Sequence, residues 1–192
     1  MNLQSTDFEL FGLPPRFALD AAQIDARWKA LQRQTHPDRF AAEGAAAQRV
    51  ALQWSARINQ ARQRLKDPLS RAAYLCELHG AAIDAERNTA MPPEFLMQQM
   101  TLREALDDAA DSRAAMDQVE HQWQSLRRDL LLKIERQTDA QADWPAAAES
   151  VRALMFLQRL ESEIARKRAK LDDLSPLPVI PAKAGIAGEG QG

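Results

Sequence analysis

The sequence predicts an all-α protein: an antiparallel helical hairpin with short flanking helices, followed by a three-helix bundle. Three observations carry this. Only 7 of the 192 residues are Gly and 1 is Tyr, while Ala, Leu, Gln, Arg and Glu abound, which is the composition of helices. Apolar residues recur at spacings of three and four, the period of an amphipathic helix. The stretches carrying that period are punctuated by Pro and Gly where helices start and stop.

The elements follow in order. Phe8 and Phe11 are i, i+3 partners and Gly12 follows, so a short helix ends near Gly12. Asp20, with Gln23 at capping-box spacing, opens a longer helix whose apolar stripe is Ile24, Trp28 and Leu31. That helix stops before Pro37, which lacks an N–H and drives His36 out of the α region. Residues 40–45, with Gly44, read as a loop. A third helix runs from Ala45 to Lys66 on a stripe of Val50, Trp54, Ile58, Ala61 and Leu65, and Asp67-Pro68 stops it. A short helix from Leu69 to Leu78 ends at Gly80. Residues 1–80 thus form one unit, two long antiparallel helices joined by His36-Pro37-Asp38.

Residues 81–93 read as a connector. The second unit spans 94–172: a helix from Phe95 to about Ala110, another from Ser112 to about Arg136, and a third capped by Asp143. The second of these carries Met116, Val119, Trp123, Leu126, Leu130 and Ile134; the third carries Val151, Leu154, Leu157, Leu160, Ile164 and Leu171. Residues 173–192, with Pro and Gly and no periodicity, read as an unpacked tail.

Composition excludes several classes. Lys+Arg 25 against Asp+Glu 27 gives no overall attraction to nucleic acid. The single cysteine, Cys76, rules out an internal disulfide framework or a thiolate cluster. The start of the chain has no signal-like apolar core, and no apolar run reaches the ~18 residues of a membrane span. The expectation is a cytoplasmic protein with no membrane association and no cofactor.

Chemistry concentrates at two places. His36 and Asp38 are an acid/base pair by residue type, yet no nucleophile motif, phosphate loop or ligand-spaced His79 or His121 accompanies them. Arg27, Lys29 and Arg33 make the preceding helix basic; they are either a solvated face or a patch for an acidic partner. Trp28 belongs to the apolar stripe, so no stacking platform for nucleic acid accompanies them. The second place is 94–111, where Leu96, Met97, Met100, Glu104 and Asp108 fall along one side of a helix, amid five acids and one base. Taken alone, Leu96 and Met100 read as ordinary bundle core.

His36-Pro37-Asp38 between two antiparallel helices, with Ile58-Asn59-Gln60-Ala61, Leu65, Asp67-Pro68, Arg71-Ala72 and Tyr74 closing the unit, resembles the J-domain of DnaJ-type co-chaperones. Thr35 and Arg62 stand where aromatics are common. Tyr74-Leu75 with Leu78-His79-Gly80, then Phe95-Leu96-Met97 to Asp107, then Trp144-Pro145 leading to Phe156-Leu157, resemble the HscB branch over residues 5–172. The resemblance implies a non-enzymatic co-chaperone. Its J-domain would stimulate the ATPase of an HscA-type, DnaK-class chaperone through His36, Pro37 and Asp38 with Arg27, Lys29 and Arg33. Its bundle would hold the iron–sulfur scaffold IscU on Leu96, Met97, Met100, Glu104, Asp108 and Phe156. Thr101 stands where that family has an acid. A J-protein with another client, and a nucleic-acid-binding helical protein, remain as alternatives, and weak self-association is left open.

Overall fold

The computed structural model describes residue 2 and residues 4–84, 91–109 and 111–173. The expected tail beyond Asp173 and residues 85–90 of the expected connector lie outside the described residues. Among the described residues there is no strand; seven α-helices follow one another, with a 3-10 turn and a π-helical turn between them.

Helix α1 (Asp7–Phe11) is short but closed at both ends. Thr6 and Glu9 form a reciprocal capping box, and Gly12 adopts φ 59° as its left-handed cap. Asp7 is fully buried on this helix and faces Arg57 and Arg64 of α3 at 2.5 and 3.0 Å. The Arg57 contact is a charge contact rather than an aligned hydrogen bond. Phe8 stacks on Tyr74, centroids 5.8 Å apart. Helix α2 (Ala21–Thr35) starts at Asp20, whose carboxylate accepts from the N–H of Ala22 at 2.8 Å. Helix α3 (Ala45–Lys66) packs antiparallel against it.

Residues 37–43, partly expected as loop, form a 3-10 turn, Pro37–Glu43. Pro37 fits its first position because no intrahelical partner awaits an N–H there. Gly44, at φ 92°, ends it. The stripe of α3 also differs from expectation: Val50 is 52% exposed and Ala51 takes the buried place. A row of four-residue steps drifts about 40° per step, so two steps from Ile58 carry Val50 off the buried face.

Asp67 joins α3 to α4 (Pro68–Leu78) with no other residue between them. It ends the first helix and caps the second, accepting from the N–H and hydroxyl of Ser70 at 2.8 and 2.6 Å. Helices α5 (Pro93–Asp108), α6 (Arg113–Glu135) and α7 (Trp144–Asp173) form the bundle. Helix α5 starts two residues earlier than expected because Pro93 occupies its first turn. Asp143 caps α7 by accepting from the N–H of Ala146 at 3.1 Å.

The two halves share one continuous core. Helix α4 packs on α7, His79 stacks on Trp144 with planes 9° apart, and Arg152 donates to the carbonyl of Ile83 at 3.2 Å. Between α6 and α7 lies a π-helical turn, Arg136–Ala140, that the periodicity of α6 does not announce. It presents Asp139 to the loop before α2, where the carboxylate accepts the N–H groups of Phe17 and Ala18 at 2.7 and 2.8 Å. Arg71 of α4 lies over the Phe17 ring at 5.0 Å and donates to the carbonyl of Leu65 at 2.5 Å. Burial lowers the Arg71 pKa, while Asp67 and Asp139 act in the opposite direction.

Hydrogen bonds to a charged acceptor contribute more than neutral ones. Asp139→Ala is therefore expected to lower unfolding stability by about 1–3 kcal/mol in urea titration, with Asp139→Asn intermediate. A variant as stable as the parent would show that the π-helical turn does not tie the halves together.

Candidate functional site

The first candidate surface is the turn at the tip of the α2–α3 hairpin. The ring Nδ1 of His36 accepts from the N–H of Asp38 at 3.3 Å and lies 3.4 Å from the Asp38 carboxylate. The turn therefore presents an imidazole and a carboxylate side by side on a constrained backbone. The side chains are 56% and 87% exposed. A pair so open to water is poorly placed to move protons for a reaction and well placed to be touched by another protein.

Arg27, Lys29 and Arg33 are all exposed on α2, and Arg39 donates to the carbonyl of Arg33 at 3.0 Å. Trp28 is held inward: its indole N–H donates to Asn59 at 2.8 Å and Arg62 covers its ring at 4.5 Å. Arg62, standing where an aromatic is common, thus keeps a stacking contact as a cation. It also joins Lys66 on Asp25, at 2.8 and 3.0 Å. Hydrogen bonds from Lys66 and then Arg62 hold the Asp25 carboxyl below its ordinary range. Thr35 is buried and donates to the carbonyl of Leu31 at 3.1 Å. A cleft of about 540 Å³ lies beside it, lined by Phe40, Val50 and Trp54 among others.

The second surface lies on the bundle. Phe95, Leu102 and Leu106 of α5 are buried, so they supply the core. Leu96, Met97 and Met100 are 45%, 69% and 64% exposed, so the reading of Leu96 and Met100 as ordinary core does not hold. Leu96, Met100 and Phe156 meet in a groove of about 510 Å³ between α5 and α7. Met97 belongs instead to a neighbouring groove between α5 and α6, with Thr101 and Leu126. Glu104 and Asp108 are exposed farther along α5 and have no salt-bridge partner among the described residues. Asp107, next to them, bridges to Lys167 of α7 at 2.6 Å, and that hydrogen bond lowers its pKa.

Of the α7 side of the groove, the sequence reading found Phe156 and missed Arg159 and Glu163. Arg159 lies over the Phe156 ring at 5.1 Å, and Glu163 reaches Arg103 at 3.8 Å. The signal was present as spacing: residues three and four apart on a helix are surface neighbours, and Phe156, Arg159 and Glu163 follow that rule. The buried thiol of Cys76 is pushed up to about 11 by burial and then by Glu77, so it is an inert core group.

The exposed and buried faces of α5 make different demands on stability. Met100→Ala and Leu96→Ala should change unfolding stability by less than about 1 kcal/mol, whereas Leu106→Ala should cost about 2–5 kcal/mol. Equal losses in thermal or urea unfolding would return Leu96 and Met100 to the core.

Known proteins resemble this chain in sequence and fold. The model of the HSCB C-terminal oligomerisation domain matches residues 91–165. A protein of Burkholderia multivorans named co-chaperone protein HscB homolog is 47% identical over 174 residues, 90% of this chain and 99% of that one. The chaperone HscB from Vibrio cholerae superposes with TM-score 0.73 at 38% identity, over 87% of this chain and 99% of its own. The human co-chaperone protein HscB superposes with TM-score 0.81 at 27% identity, over 89% and 86% of the two chains.

Proposed function

The chain belongs to the HscB family of co-chaperones, and on that premise we propose that it stimulates the ATPase of an HscA-type chaperone and brings it an IscU-type iron–sulfur scaffold. The observation that carries this reading is the joining, in one chain, of an exposed His36-Pro37-Asp38 turn with a solvent-facing apolar row on α5. An apolar row that the core does not need is a surface for another protein.

The division of labour follows from the two surfaces. The turn offers an imidazole and a carboxylate to the ATPase, with Arg27, Lys29 and Arg33 steering an acidic face toward it. Hydrolysis takes place on the ATPase; this chain makes and breaks no covalent bond. The scaffold sits on Leu96, Met100 and Phe156, with Met97, Glu104 and Asp108 at its edge. Apolar anchors supply affinity and the charges supply orientation. No helix of the described residues is long and apolar enough to cross a membrane. The basic face of α2 has its aromatic turned inward, which favours a protein partner over nucleic acid.

Stimulation of an HscA-type ATPase should be modest with this chain alone and larger when IscU is added. His36→Gln should abolish it while leaving IscU affinity unchanged. A His36→Gln variant with full stimulation would remove the turn from the mechanism. Leu96→Ala with Phe156→Ala should weaken IscU binding, each anchor contributing about 1–3 kcal/mol by calorimetry; unchanged affinity would reject the groove.

A further inference from the structure

We propose that Arg159 is a specificity-determining residue of the α5–α7 groove, and that the segment docked there carries an acidic side chain beside its apolar anchors. This rests on the reading of the groove as the scaffold-binding surface and adds the chemistry of its occupant.

The groove is built from two matched rows. Helix α5 contributes Leu96, Met100 and Arg103, and α7 contributes Phe156, Arg159 and Glu163, each at i, i+3/i+4, i+7 spacing. Its Leu96–Phe156 end is apolar; its Arg103–Glu163 end is charged. Arg159 stands between them, exposed, its guanidinium 5.1 Å from the Phe156 centroid.

The charge is not neutralised from within. Farther along α7, Lys167 is paired with Asp107, and Arg168 with Asp117 and Glu120. Arg103 is engaged by Glu163 at 3.8 Å. Arg159 has no carboxylate within 4.0 Å among the described residues; its contact is the Phe156 ring. On α5, Arg103 and Glu104 are consecutive, so their side chains leave the helix about 100° apart. Arg103 lines the groove, while Glu104 and Asp108 lie toward its outer edge, also without salt-bridge partners among the described residues.

The face is therefore polar in the vector sense: inside the groove an unpaired cation, Arg159, beside the Arg103–Glu163 pair, and unpaired carboxylates outside it. A segment whose apolar residues cover Phe156 excludes water from the stacked guanidinium, and a carboxylate placed there is then attracted more strongly than in bulk solvent. A segment entered the other way round would place its acid against Glu104 and leave Arg159 covered and unpaired. Charge of this kind selects partner and orientation more than it adds gross affinity. The acidic row that the resemblance expected, interrupted by Thr101, is only half of this pattern.

The test uses the full chain with an IscU-type scaffold as probe, read by calorimetry at low and moderate salt. Arg159→Glu should weaken binding about tenfold or more, because a like charge then faces the docked acid. Arg159→Met keeps the stem over Phe156 and removes the charge; it should weaken binding about threefold and flatten the salt dependence, while Arg159→Lys should retain most of both. If Arg159→Glu and Arg159→Met bind like the parent while Leu96→Ala with Phe156→Ala loses affinity, the inference falls and the groove assignment stands. If none of these variants changes affinity, the groove assignment falls with it. Tighter binding by Arg159→Glu would overturn the inference by showing a basic occupant. A concentration-dependent dimer in sedimentation that Arg159→Glu disperses, with scaffold affinity unchanged, would overturn it in favour of a second copy of this chain.

Discussion

The packing of α4 on α7 is the contact on which the functional geometry depends. The His36 turn and the Leu96–Phe156 groove sit on different helices and have no direct contact with each other. What relates them is a junction of several unlike interactions: the His79–Trp144 stack, the buried Arg152 bond to Ile83, and the Asp139 carboxylate holding two backbone N–H groups before α2. Apolar contact alone would let two helical units slide, because burial is non-directional. Hydrogen bonds from a side chain to named backbone groups fix position as well as proximity.

The bundle shows the complementary economy. Helix α5 has two apolar faces and needs only one of them for folding. Phe95, Leu102 and Leu106 satisfy the core, and the second face remains in water, where it gains nothing until another surface covers it. Met97 and Met100 suit that task because an unbranched thioether side chain can adjust to the shape placed on it. On the proposed reading of this groove, that shape tolerance leaves discrimination to groups with fixed position and sign: the guanidinium over Phe156 and the carboxylates beyond Met100.

Much of this was legible in the sequence because it is written in periods and punctuation. The helices of both halves follow from three- and four-residue spacing, and the caps at Thr6, Asp20, Asp67, Ser112 and Asp143 are residue types that accept N–H bonds. The exposed turn follows from Pro37 alone. What was not legible depends on which side of a stripe meets a neighbour. Val50 matched the period and lies outside the core; Leu96 and Met100 matched it and face solvent. The π-helical turn at Arg136–Ala140 leaves no mark in the apolar pattern, so nothing in that pattern singles out Asp139. Arg159 was overlooked for a related reason: a cation on a charged helix looks solvated until the ring beneath it is seen.

Asp67 carries a consequence for how the chain tolerates change in length. It ends α3 and begins α4 by itself, so the corner contains no loop that could absorb an extra residue. A residue inserted there and taken up by either helix would turn everything beyond it by about 100° about that helix axis. The face of α4 that meets α7 would then point elsewhere, and the first half would be aimed in a new direction although every residue of its core was intact. Insertions between helices joined by longer segments have slack to be hidden in; at this corner the number of residues is itself a structural quantity.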